Sequence, residues 1–253
     1  MKKQIFKLIA FVTAVATLLG ACKKNPAEPE PAATVRLTKV SSWNPSTGAE
    51  TTVNEYSYNA DGTLKNVTSA RVNLNVTYAN GKVASAKGVN STGGEVSYAI
   101  TYNASGQITK VVNVYMNPTD FGSTKNYEYN AAGKVSKITT NFANGGMPGV
   151  TLINEYFWNG DNIEGTKATS GTSSTQASYK YDDKLNPYHL GEGMAAILSG
   201  APQSKNNATE ITTVNSSGTV VQKRSYEYNA AGYATSMKLL DGSNEGQKYY
   251  YLP

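Results

Sequence analysis

The sequence predicts an all-β fold: an antiparallel meander of about 16 strands, made of repeated hairpins and bent into one strongly curved single sheet or barrel. Three observations predict it. A seven-residue phrase recurs as YSYNADG at 56–62, ITYNASG at 100–106, and YEYNAAG at both 127–133 and 226–232. Worn copies are VTYANG at 76–81, YFWNGD at 156–161 and YKYDDK at 179–184. Turn-rich stretches alternate with the phrase, among them NPSTGAE at 44–50, NSTGGE at 90–95, NSSGT at 215–219 and DGSNEG at 241–246. No amphipathic helical pattern crosses between the units. One supersecondary element used many times is the physical meaning of such a repeat.

Within the phrase, Tyr127 and Tyr129 lie two apart and share one face of a strand, while Glu128 points to the other. Tyr56 with Tyr58, Tyr156 with Trp158, Tyr179 with Tyr181, and Tyr226 with Tyr228 repeat the arrangement, and Val76–Tyr78 and Ile100–Tyr102 are aliphatic versions. The intervening residues are polar except Phe157, so one face is dry and the other wet. Asn130-Ala131-Ala132-Gly133 suits a type I turn closed by a glycine bulge, because Asn bonds nearby backbone and Gly tolerates positive φ. Ala79-Asn80-Gly81-Lys82 fits a two-residue Asn-Gly turn. In the second strands the apolar residues are spaced by three: Leu64 and Val67, Ile108 and Val111, Val135 and Ile138. A β-bulge there would return both residues of each pair to one face.

Residues 185–208 break the rhythm, doubling the usual interval between phrases. Met194 to Leu198 is a short apolar run bounded by Gly193 and Gly200, which predicts a helical insert near 192–199. It either plugs one opening of the curved sheet or rides the surface as a loop. The expectation is a plug.

The N-terminus has the layout of a secretory signal: Lys2, Lys3 and Lys7, then an apolar run from Leu8 to Leu19, then small residues. Residues 1–21 are expected to be cleaved. Lys23 to Ala33 is polar and proline-rich, so 22–34 reads as an extended tether and 35–253 as a single β domain. Loss of the three leader lysines lowers the formal charge from +5 to +2, and the remaining lysines are dispersed among acids. A nucleic-acid partner is thereby disfavoured. With Cys22 as the only cysteine and His189 the only histidine, neither an internal disulfide nor a zinc site of His and Cys can form.

Leu19-Gly20-Ala21-Cys22 resembles the lipobox of bacterial lipoproteins, a resemblance that implies diacylation of the Cys22 sulfur and membrane attachment through the N-terminal lipid. The hairpin phrase resembles the tyrosine-aspartate repeats of Rhs-type and teneurin-like proteins, with Asn59, Asn103, Asn130 and Asn229 at the aspartate position and Asp182 in one worn copy. Those proteins wind many more repeats into a shell around cargo; about seven are too few. Together with the Asp183–Tyr188 element, the whole resembles a family of bacterial cell-envelope lipoproteins with a porin-like β fold and no assigned function. That resemblance implies the outer membrane, on its surface or periplasmic face. It brings no catalytic motif and no cofactor.

The chemistry is sparse. No Gly-x-Ser-x-Gly elbow accompanies His189, Asp161-Asn162-Ile163-Glu164 lacks an oxygen ligand where a calcium loop needs one, and Asp182 and Asp183 are adjacent, so on a strand they face opposite ways and cannot flank one glycosidic bond. The expectation is no enzyme. Trp158, Tyr156, Tyr129, Tyr181 and Tyr228 are the candidate ligand-binding residues, since aromatic faces stack on sugars or peptide side chains. The rival role for the same tyrosines is aromatic pairing across neighbouring strands. A binding module for a glycan, peptide or surface component is therefore expected, and a structural or assembly lipoprotein with a protein partner is the alternative. An integral porin is disfavoured, because stretches such as 63–68 are shorter than a transmembrane strand.

Overall fold

The structure, a computed structural model, describes residues 35–115, 121–144, 149–188, 197 and 199–252. The leader, Cys22, the tether, His189 and most of the expected helix at 192–199 lie outside them. Sixteen strands follow in order: β1 (Arg36–Trp43), β2 (Glu50–Tyr58), β3 (Leu64–Ser69), β4 (Val72–Ala79), β5 (Lys82–Asn90), β6 (Glu95–Tyr102), β7 (Ile108–Tyr115) and β8 (Phe121–Tyr129) form the first half. The second half comprises β9 (Val135–Asn144), β10 (Thr151–Asn159), β11 (Asn162–Ser170), β12 (Ser173–Leu185), β13 (Asn206–Asn215), β14 (Gly218–Tyr228), β15 (Ala234–Leu239) and β16 (Gly246–Leu252). Each pairs antiparallel with its sequence neighbours, and β1 pairs with β16 from Arg36↔Leu252 to Trp43↔Gly246, so the meander closes into a barrel.

The turns form as the sequence predicts. Gly133 N–H donates to Asn130 O and Asn130 N–H to Lys134 O, with Gly133 at φ 74°. The Asn130 side-chain oxygen accepts from the N–H groups of Ala132 and Lys134. The same main-chain pair recurs at Asn59, Asn103 and Asn229. Asn80 and Gly81 both take positive φ, the signature of a type I′ turn. Each second strand then bulges. Tyr58 pairs with Leu64 and Ser57 with Asn66, leaving Lys65 over, and the same shift occurs at Tyr78, Tyr102, Tyr129, Trp158 and Tyr228. Leu64 and Val67, Ile108 and Val111, and Val135 and Ile138 are all buried as a result.

The dry face is the lumen. Leu37, Val40, Tyr56, Leu74, Val96, Ile108 and Tyr249 belong to one buried cluster, and Val135, Ile138, Tyr156 and Ile163 to a second. The outer wall carries the intervening polar residues, with ion pairs Lys137–Glu128 (2.7 Å) and Lys180–Glu210 (2.7 Å) between neighbouring strands. Phe157 is the predicted exception and is 53% exposed. A lipid-facing wall would be the reverse, since one Lys at the bilayer midplane costs about 2–4 kcal/mol. Against a membrane-spanning barrel the polarity is inverted: apolar inside, hydrophilic outside.

The tyrosines have a further structural task. The hydroxyl of Tyr58 donates to Leu37 O (2.6 Å), Tyr78 to Leu64 O (3.0 Å), Tyr102 to Val83 O (2.8 Å), Tyr129 to Ile108 O (2.9 Å) and Tyr181 to Ile163 O (2.6 Å). Tyr251 donates likewise to Ala234 O (2.6 Å). Trp158 does the same through its indole N–H, to Val135 O at 2.7 Å. In all but the first, the acceptor is the first or second residue of a second strand, beside the bulge. On the β14–β15 hairpin the equivalent Tyr228 gives its hydroxyl to Asp182 instead, and Tyr226 donates to Ala208 O (2.9 Å), so each hairpin still passes an aromatic donor to the one before it. Two close ring contacts lie within strands, Tyr179 with Tyr181 and Tyr226 with Tyr228, while Tyr115–Phe121 and Phe121–Phe142 lie across neighbouring strands as aromatic pairing predicts.

Candidate binding site in the barrel lumen

Most of the lumen between β1 and β7 is filled by the chain's own side chains. The opposite side is roomier. A cavity of about 280 Å³ is lined by Tyr156, Tyr179, Tyr181, Tyr188, Tyr226 and Tyr249, with Asn207, Gln247 and Arg224 among its polar groups. The insert between β12 and β13 supplies part of its wall. Tyr188 packs edge-on against Tyr249 (centroids 5.9 Å apart), and Ser204 accepts the Ile163 N–H and bonds the Tyr181 hydroxyl. Ile197 is helical and buried in the larger cluster. The described part of the insert therefore turns into the barrel rather than over its surface.

Two of the five predicted ligand-binding residues, Tyr156 and Tyr181, line this cavity. Tyr156 is buried, and desolvation pushes its hydroxyl pKa well up. Tyr129 and Trp158 are not in the cavity wall; they pack against the smaller cluster, with Lys134 over the Trp158 ring (5.1 Å). Tyr228 gives its hydroxyl to Asp182, and desolvation with that carboxylate raises its pKa. Asp182 Oδ1 also accepts the backbone N–H groups of Lys184 and Asn207, so it braces the root of the insert.

The residues that sequence reasoning missed are the inward cations. Arg224 stands two before Tyr226 and Lys125 two before Tyr127, so strand periodicity places both on the aromatic face. Arg224 is half-buried and is the one charged side chain among the described residues lining the 280 Å³ cavity. Its Nε and Nη2 both donate to Gln222 Oε1, at 3.0 and 2.5 Å. Lys125 pairs in register with Val111 and Thr140 and packs beside Gly200 of the insert; desolvation alone lowers its pKa. Among the described residues, no group of three His, Cys, Asp or Glu side chains could hold a metal ion.

A second cavity, of about 680 Å³, is walled by Ser42, Trp43, Gln222, Leu239 and Glu245 at the end of the barrel opposite the repeat turns. Arg224, Met237 and Gln247 line both spaces and form the layer between them.

The barrel is similar to two solved structures. One is a porin-like protein from Bacteroides vulgatus ATCC 8482, 14% identical, with a TM-score of 0.61 over 87% of this chain and 99% of that one. The other is a porin-like protein from Bacteroides uniformis ATCC 8492, 12% identical, with a TM-score of 0.57 over 88% and 99%. The chain shares their fold. At these identities the likeness extends to architecture and no further. No family model and no curated protein matches the sequence.

Proposed function

We propose that this chain is a lipid-anchored protein of the bacterial cell envelope, held to the outer membrane through Cys22, and that it is a non-enzymatic binding module for a glycan. The observation that carries the reading is the luminal cavity: six tyrosines and the amides of Asn207 and Gln247 around about 280 Å³, inside a wall whose outer face is hydrophilic. Aromatic faces with a few convergent polar groups are what saccharide recognition requires. A volume of this order lies at the low end of small-molecule sites, suited to one or two sugar rings rather than a long chain. Thermal-shift and fluorescence titration of the full-length protein in detergent against an oligosaccharide panel test it. Binding should be lost on Tyr179→Ala, and silence across the panel counts against the glycan reading.

The anchoring is tested separately by metabolic labelling with an alkyne fatty acid. Label should enter the protein and vanish in Cys22→Ser. Protease shaving of intact against lysed cells then assigns the membrane face.

One observation favours the assembly alternative. Val214, Val220 and Val221 on the β13–β14 hairpin are 46%, 65% and 50% exposed. Closure leaves no free sheet edge, so a protein partner would meet side chains there rather than add a strand.

A further inference from the structure

The proposed glycan site contains a guanidinium with no carboxylate partner among the described residues, and that charge specifies its ligand further. We infer that the lumen selects acidic saccharides, and that a ligand carboxylate docks on Arg224. This rests on the reading of the lumen as a glycan site.

The argument begins with cost. Arg224 is half-buried inside a barrel whose ion pairs lie on its outer wall, and none of those pairs includes it. Removing a cation from water without a counter-ion is unfavourable. The Nε–Nη2 edge of a guanidinium is the fork that matches the two oxygens of a carboxylate. Here that fork converges on a single neutral oxygen, Gln222 Oε1, from two residues earlier on the same strand. Gln222 is an occupant that a carboxylate outcompetes, because bonds between two charged partners are about twice as strong as neutral ones.

The second donor is Gln247. Its Oε1 accepts the hydroxyls of Tyr249 (2.9 Å) and Tyr188 (3.3 Å), which leaves its amide nitrogen to donate without a partner among the described residues. Gln247 and Arg224 lie together in the layer between the two cavities. Gln222 lines the outer space alone, so the fork faces the side from which a ligand would arrive. A uronate that enters there can set its carboxylate on Arg224 and Gln247 and its ring against Tyr226 and Tyr249. Glu245 also lines the outer space and opposes any entering anion, a cost that the charge-assisted bonds at Arg224 must offset.

Isothermal titration of the full-length protein in detergent with tri-galacturonate, the galactose trimer of the same linkage, and the non-saccharide dicarboxylate glutarate tests the inference. The acidic trimer should bind at least tenfold tighter than the neutral one. Arg224→Met should remove that difference by lowering the affinity for the acidic trimer to the level of the neutral one. Arg224→Lys should restore only part of it, since lysine keeps the charge and loses the fork. Gln222→Glu is the discriminating variant: it supplies the fork with an internal carboxylate, so it should keep or raise the melting temperature while weakening the acidic trimer tenfold or more. A merely structural Arg224 would not produce that combination. Glutarate binding as tightly as the acidic trimer, with the same Arg224 dependence, keeps the anion site and overturns the glycan reading. Equal affinity for acidic and neutral trimers keeps the glycan reading and overturns the anion site. Failure of every acidic probe also overturns the anion site.

Discussion

Replacement of Trp158 isolates the worth of one inter-hairpin donor. Both Trp158→Tyr and Trp158→Phe lose indole volume and share whatever that costs, but only tyrosine keeps a group that can donate to the Val135 carbonyl. Tyrosine already performs this task at Tyr58, Tyr78, Tyr102, Tyr129 and Tyr181. Val135 is 7% exposed, so its carbonyl has little access to water once the 2.7 Å indole bond is removed. A buried acceptor left without a donor costs about 1–3 kcal/mol. For a domain of this size each kcal/mol moves the melting temperature by about 2–4 °C, which puts the phenylalanine variant roughly 2–12 °C below the tyrosine variant. Thermal unfolding followed by circular dichroism measures the difference. Tyr129→Phe, which removes a hydroxyl and nothing else, should fall by a comparable amount. If the two Trp158 variants melt together, the aromatic donors are incidental and ring packing alone holds neighbouring hairpins.

Other perturbations follow from single residues. Gly133→Ala has open space, with Gln107 Nε2 at 3.6 Å from the added carbon, so its cost is the left-handed backbone at φ 74°, about 1–2 kcal/mol. Gly88→Ala should cost more, about 2–3 kcal/mol in denaturant unfolding, because the new carbon would stand 1.7 Å from the Asn73 carbonyl oxygen and force β4 and β5 apart. Lys125 has its pKa lowered by desolvation, so the unfolded chain binds the proton more tightly, and stability should climb as pH rises from the folded to the unfolded pKa. Lys125→Met should abolish that climb and raise the melting temperature at neutral pH. Tyr56 is pushed the other way, from 10.0 to about 12, first by desolvation and then by Tyr58. Its contribution, about 2–3 kcal/mol, is present below pH 10 and lost as pH rises to about 12, so unfolding and tyrosinate absorbance should appear together in that window.

The local plan was legible because it is written with local signals. The Y-x-Y-N phrase specifies alternation, Gly133 and its equivalents the turn, and the three-residue spacing of Leu64 and Val67 the bulge. Closure was not legible. Pairing of Arg36 with Leu252 joins the first and last described strands, and no periodicity within either strand encodes it. The outer clasp at that seam, Lys248 to Glu50 at 2.6 Å with Lys39 over Tyr250, is likewise a meeting of residues remote in sequence. The candidate site was half legible. Tyr156 and Tyr181 lie where the aromatic pattern put them, whereas Trp158 looked distinctive only because the sequence does not reveal that indole N–H and phenol O–H serve one acceptor. Arg224 and Lys125 carried a readable signal, their period-two relation to Tyr226 and Tyr127. Among charges scattered along the chain it is visible only once each strand's inward face is assigned.

The handing of one donor from each hairpin to the hairpin before it makes the barrel extensible. A duplicated hairpin brings its own aromatic group for the neighbour behind and its own bulged carbonyl for the neighbour ahead, so it can be spliced into the ring without re-engineering either. The quantity that changes is bore. Each added pair of strands widens the lumen, and the insert between β12 and β13 must then span a larger gap or leave it open. Repeat number and plug length are coupled in this architecture, and together they set the calibre of whatever the interior can admit.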